Sequence, residues 1–469
     1  MTCYLSRLCL LGALAATGAV ADPNDPYFAS KGSWKQSYDD QWAVKRIGFT
    51  ALDDPDSAWR IEDGSRHPVI VAVIDTGLDY HHPDLARENL WRNVKEVRNG
   101  VDDDGNGYVD DLIGWNFADR NNDPWDLSGH GTFVAGIIAA RAGNGEGIAG
   151  INRGARIMPL RVMNFLGAGL AVGVAEAIYY AVANGARVIN LSLGSPGASA
   201  AEARAIRYAV DQGVLVVVAA GNDSGDLKGF GPAGTADVLT VAASDVDDER
   251  APFSNWGAQV DIAAPGTDIL SLRARRTDFV LTTFPKTYLP GDAFVGDGAK
   301  YYRASGTSFA APLVSGVASL VFAAHPQLSG ADVRRVLMQS AKDIGVPGVD
   351  QYSGYGLLDA RAALAADPKF FVDASITGVS VIQQDGRPFV SVLGTANADQ
   401  FGRAWIEIGA GESPTRWVKA AEIPSALAAG AIAAVDAKSL QGAPKWTLKL
   451  VVEHKNGRTR EARYVVNLG

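Results

Sequence analysis

Val69-Ile70-Val71-Ala72-Val73-Ile74-Asp75-Thr76-Gly77 is an unbroken apolar, mostly β-branched run that stops on an acid and a glycine turn. A strand with one face in water alternates apolar with polar residues. An unbroken run instead reads as a strand buried on both faces, the mark of a parallel sheet covered by helices. Similar compact runs stand at 188–193, 214–219 and 238–242. Helical apolar spacing fills 130–141, 170–183, 200–212 and 308–324, and a further helix opens at Ser329, with Asp332 placed for a capping box. This alternation predicts an α/β domain built on a doubly wound, mostly parallel sheet.

The alternation stops near residue 367. Runs at 388–393, 405–408, 446–452 and 463–466 read as strands between turns, predicting a small C-terminal all-β sandwich domain over 367–469. The alanine-rich stretch 421–438 fits either a short helix or a loop. At the other end, Arg7, an apolar run at 8–16 and Ala19-Val20-Ala21 have the layout of a secretory signal peptide, expected over 1–21. The α/β domain is then expected over 22–366, with 22–66 as an N-terminal arm. Cys3 and Cys9, the only cysteines, fall inside the leader, so no disulfide is expected in the mature chain. No later run reaches the roughly 20 apolar residues that span a bilayer. A net charge of −9 argues against nucleic acid or an anionic membrane as partner. The expected product is a secreted monomer, extracellular or periplasmic.

A serine nucleophile needs a base within hydrogen-bond reach and a third group to orient that base. Of six histidines, His130 stands apart, because Ser128-Gly129-His130-Gly131-Thr132 sets it between two glycines at a helix start. Backbone can approach closely on either side of it. Asp75 ends a strand at the carboxyl edge of the sheet, where open α/β folds build their sites; taken alone it would be a turn former. Ser308 follows Gly306-Thr307 and opens Phe309-Ala310-Ala311-Pro312, which puts its hydroxyl at a helix N-terminus that favours developing negative charge. A serine there, taken alone, would be a helix cap.

A second pattern lies in Asp102-Asp103-Asp104-Gly105-Asn106-Gly107-Tyr108-Val109-Asp110. Asp102, Asp104, Asn106 and Asp110 occupy alternate oxygen-bearing positions around a glycine turn, as in an EF-hand-like Ca2+ loop. The twelfth position is Ile113 and not a glutamate, so the closing ligand falls to Asp110, Asp111 or water.

Asp75-Thr76-Gly77, Gly129-His130-Gly131-Thr132 and Gly306-Thr307-Ser308 occur in the order Asp, His, Ser and together resemble the subtilisin-like serine proteases, peptidase family S8. The resemblance covers about 24–366 and leans towards the thermitase-type bacterial enzymes. It implies a serine endopeptidase acting on protein or peptide substrates through an acyl-enzyme, with Ser308 as nucleophile, His130 as base, Asp75 as its orienter and Asn222 in the oxyanion hole. It also implies that Ser192-Leu193-Gly194 pairs with an extended substrate. Ala219-Ala220-Gly221 would wall the pocket for the residue before the scissile bond. Broad specificity for apolar or large residues is expected, with Asp223 and Asp226 leaving a basic residue as the alternative. Asp84, Asn144 and Asp25 match calcium-binding positions of the family, giving one or two structural Ca2+ sites in all.

Two features depart from the family. Residues 22–74 already resemble a mature N-terminal arm and leave no room for a folding prodomain. The stretch 273–303, beginning Arg273-Ala274-Arg275-Arg276, is long for the family and reads as a surface hairpin, a lid or a processing site. A rival class, a secreted binding protein on a disabled protease scaffold, would have no reason to retain Asp75, His130, Asn222 and Ser308 together.

Overall fold

The computed structural model describes residues 24–51, 54–197, 199–235, 237–277 and 293–467. The leader expected at 1–21, with both cysteines, and the middle of the 273–303 stretch lie outside them.

The decisive run forms the strand Ile70–Asp75, parallel to Arg156–Arg161 on one side and to Val188–Leu191 on the other. The seven-stranded sheet continues through Leu215–Ala219 and Leu239–Ser244 to Ile262–Pro265, with Trp115–Asn116 at the far edge. The helices His130–Ala139 and Thr307–Ala324 share one apolar layer with Phe133, Leu313 and Val317. Ala171–Ala183 and Ala200–Asp211 cover the opposite face around Ile178, Ile189 and Ile206. Thr307–Ala324 has a mean hydropathy of 1.6 and is long enough to cross a bilayer, yet it is the buried core helix of this domain. The doubly wound α/β reading therefore holds. The capping box holds too: Asp332 N–H donates to Ser329 Oγ at 3.2 Å, and Ser329 N–H donates back to Asp332 Oδ2 at 2.9 Å.

Arg156–Arg161 escaped the sequence reading because Pro159 and two terminal arginines break its apolar run. Its tolerance of proline follows from register. Carbonyls of Ile157 and Arg161 accept from Trp91 and Phe117 on the outer side. Pro159 shares their parity, so its missing N–H faces outward, where pairing with the edge strand begins only at Leu160.

Beyond the helix Ala360–Ala365 the chain becomes antiparallel β structure. Val372–Gln384, Arg387–Ala398 and Leu427–Asp436 form one sheet, and Val418–Ile423, Phe401–Ala410, Lys445–His454 and Thr459–Asn467 form another. The two enclose Val392, Ile406, Val435, Leu448 and Leu450. Most of 421–438 is thus strand: pairing with 389–396 overrides the helix preference of alanine. Two seams join the β structure to the α/β layers. Gln339 Nε2 donates to Asp373 Oδ1 at 2.6 Å and its Oε1 accepts Val372 N–H at 3.2 Å. Val349 N–H donates to the Glu461 carbonyl at 2.7 Å, and the Val349 carbonyl accepts Arg463 N–H at 2.9 Å.

Candidate active site

Asp75 ends its strand fully buried, and His130 Nδ1 lies 2.8 Å from its Oδ1 and 3.0 Å from its Oδ2. Two glycines make that approach possible. Gly129 has φ +106°, which an L-residue rarely adopts. A Cβ on Gly131 would come within 2.2 Å of the Gly77 carbonyl. Burial lowers the affinity of the His130 ring for a proton, but the Asp75 carboxylate, by charge and hydrogen bond, and the Asp126 charge outweigh it, so its pKa is raised. The ring keeps 12% of its surface exposed, on the cleft side.

Asp126 was not singled out in the sequence, where an acid four residues before a histidine reads as ordinary loop. It is fully buried and receives the hydroxyls of Thr76 and Thr132 and the N–H groups of Ser128, Gly129 and Thr132, all between 2.7 and 2.9 Å. Thr76 in turn accepts Gly131 N–H at 2.9 Å. One carboxylate thus ties the turn after Asp75 to the first turn of the His130 helix, where negative charge is also favoured by the helix dipole.

Ser308 sits in the first turn of the apolar helix, and its hydroxyl donates to the Ser192 carbonyl at 3.3 Å. Pro312, four residues on, has no N–H for the Ser308 carbonyl, and Ser192 Oγ donates to it instead at 2.8 Å. Asn222 Oδ1 accepts both the N–H and the hydroxyl of Thr307, at 2.9 and 3.0 Å. A backbone N–H can only donate, so the atom facing it must be the amide oxygen, which turns Nδ2 away from Thr307.

A cleft of about 970 Å³ is lined by His130, Asn222 and Ser308 together with Ser192, Leu193, Gly194, Ala219 and Gly221. Ala220 is different: it is fully buried, with its N–H donating to Val241 and its carbonyl taken by Asn255 Nδ2, so it supports the wall from behind.

The acidic loop gathers otherwise than the twelve-residue template suggests. Carboxylate oxygens of Asp102 and Asp104 lie within 4.8 Å of one from Glu96, which comes from upstream of the loop. Asp110 instead accepts the N–H groups of Asn99 and Gly100, and Asn106 Nδ2 bonds to Asp111. Asp25 and Asp84 are both fully buried. Asn144 bridges them, its Nδ2 donating to Asp84 Oδ1 at 2.7 Å and its N–H to Asp25 Oδ1 at 3.2 Å. Burial pushes the Asp84 carboxyl up to about 7, the Asp25 charge adds to this, and the Ile148 and Asn144 bonds oppose it. Burial raises Asp25 as well. An oxygen-only donor set holding two buried carboxylates suits a hard cation.

A sequence profile described as "Subtilase family" matches residues 66–356. The chain is 33% identical over 342 residues to thermitase of Thermoactinomyces vulgaris, covering 73% of this chain and 99% of thermitase. It is 37% identical over 309 residues to a thermophilic serine proteinase of Bacillus sp. (strain AK1), covering 66% of this chain and 64% of that protein, somewhat under two thirds of its length. Among solved structures, a protease from Pseudoalteromonas arctica aligns with a TM-score of 0.55 at 31% identity, over 73% of this chain and 98% of that one.

Proposed function

The chain belongs to the subtilase family, and from that premise we propose that it is a secreted serine endopeptidase that cuts protein and peptide substrates through an acyl-enzyme. The observation that carries the reading is the pairing of His130 Nδ1 with a fully buried Asp75 at the edge of a cleft that Ser308 also lines. Asp75 fixes the tautomer in which Nδ1 carries the proton and Nε2 can accept one. For attack, the Ser308 hydroxyl turns from the Ser192 carbonyl to His130 Nε2, which takes its proton as Oγ bonds to the scissile carbonyl carbon. The oxyanion so formed is met by Asn222 Nδ2 and the Ser308 N–H. His130 then passes its proton to the leaving amine, and water repeats the sequence to release the acid.

Ser192-Leu193-Gly194 offers backbone to pair with an extended substrate, a mode that gives affinity with little sequence demand. Residues 22–366 form the peptidase unit and 367–469 a β-sandwich appended to it, after a leader at 1–21. The partners are protein or peptide substrates, with no nucleic acid and no membrane span in the mature monomer. Calcium serves structure in this reading: Asp25, Asp84 and Asn144 hold one ion, and Asp102 and Asp104 with Glu96 hold a second. Bound there, calcium neutralises converging carboxylates and ties the N-terminal arm and the 96–111 loop to the fold.

The test is release of peptides from casein by the purified mature protein with calcium, beside Ser308→Ala, with labelling by a fluorophosphonate. Activity and labelling vanish together in the variant if the mechanism holds. A folded wild type that neither cleaves nor labels overturns it.

A further inference from the structure

Ala219-Ala220-Gly221, proposed to wall the pocket for the residue before the scissile bond, and the substrate-pairing segment Ser192-Leu193-Gly194, which meets the same Phe230 ring and so serves as the facing wall, both end on glycine. Glycine walls leave room for a large side chain between them. Here the chain itself takes that room. A Cβ built on Gly194 would lie 2.8 Å from Cε1 of Phe230, and one built on Gly221 would lie 2.9 Å from its Cζ. Two adjacent carbons of one ring therefore occupy the space beside both glycines, with Asn255 Nδ2, 2.5 Å from a Cβ built on Gly221, filling the remainder there. The ring lines the same cleft as His130 and Ser308.

The backbone that carries the ring is braced. Phe230 N–H donates to the Leu227 carbonyl at 2.9 Å, and its own carbonyl accepts Gly234 N–H at 2.7 Å. Phe230 and Gly231 pair antiparallel with Pro196 and Ser195, directly after the Gly194 wall. The ring is thus fixed to the wall it blocks. A large side chain entering the slot must displace it from packing against both glycines.

We propose that Phe230 is a specificity-determining residue that plugs this pocket and restricts the position before the scissile bond to small side chains: glycine, alanine or serine. The inference rests on the peptidase reading and deepens it. It also narrows the expectation of broad specificity for apolar or large residues at that position to small ones.

The experiment compares chromogenic tetrapeptides that differ only in carrying alanine or phenylalanine before the scissile bond, with the mature wild type, Phe230→Gly and Phe230→Ala. Wild type is expected to favour alanine in kcat/KM by about tenfold or more, and opening the pocket should cut that ratio by about tenfold, less in Phe230→Ala. Fluorophosphonate labelling confirms that each variant is folded. A wild type that cleaves after phenylalanine as well as after alanine, or a ratio unmoved in both labelled variants, overturns the proposal. If wild type cleaves neither peptide and takes no fluorophosphonate label, the peptidase reading fails instead, and calorimetric binding to Ser308→Ala still decides the pocket. Preference for the alanine peptide, lost on adding Phe230→Gly, supports the plug, and equal binding before that change refutes it.

Discussion

Ser192 and Ser308 hold each other across the cleft, the Ser192 hydroxyl donating to the Ser308 carbonyl at 2.8 Å and the Ser308 hydroxyl to the Ser192 carbonyl at 3.3 Å. The first bond answers the vacancy that Pro312 leaves in its helix. Ser192→Ala orphans that carbonyl and is expected to cost about 1 kcal/mol of stability, with a fall in kcat/KM. Pro312→Ala restores an in-helix donor, so a double-mutant cycle read by Tm should show the second change recovering part of the first. Simply additive losses would show that the two residues are not linked.

Thr307 aims Asn222. Replacing Asn222 with leucine keeps the volume and removes the amide donor, and kcat should fall by about 10²–10³, a magnitude carried over from subtilisin. Thr307→Val removes only the hydroxyl and leaves the backbone N–H on Asn222 Oδ1, so a fall of about tenfold or less is expected. The two falls should not multiply in the double variant, because Thr307 acts through Asn222.

The raised pKa of His130 sets the acid limb of activity. The base must be neutral to accept the serine proton, and a raised pKa keeps it protonated to higher pH. The limb of kcat/KM should therefore have its midpoint above the ordinary histidine value of 6.5. Asp126→Asn removes a charge that raises it, so the midpoint should move to lower pH while Tm falls. An unmoved limb in a folded Asp126→Asn protein would mean that Asp126 braces the loop without influencing the ring.

Chelation should lower thermal stability and excess calcium restore it, since a ligand confined to the native state at 100 times its Kd adds about 2.7 kcal/mol. Asp84→Asn and Glu96→Gln each remove one carboxylate from a different proposed site, so each should abolish only part of the calcium dependence. Identical unfolding in chelator and in calcium would remove both sites from consideration.

The meeting of Asp75, His130 and Ser308 at one cleft was legible only from their three motifs taken together, because alone Asp75 reads as a turn former and Ser308 as a helix cap. Asp126 and Glu96 were not legible at all. Their roles depend on donors and carboxylates that meet only when distant turns fold together, and a loop template numbered forward from Asp102 looks away from Glu96. Arg156–Arg161 was hidden by a proline whose harmlessness is a matter of register. The strand Leu427–Asp436 was hidden by alanines whose helix preference yields to a partner strand. Phe230 was invisible as a plug, because nothing in its neighbours along the chain says that its ring reaches back between Gly194 and Gly221.

The pairing of Val349 with Glu461 and Arg463 also has a meaning in time. A chain emerging from its N-terminus makes Val349 well before the strand Thr459–Asn467 exists. Until that strand is made, Val349 has neither of its two backbone partners there. A chain that ends before Thr459 therefore lacks the strand that takes both Val349 bonds, and that border of the fold is left without its partner.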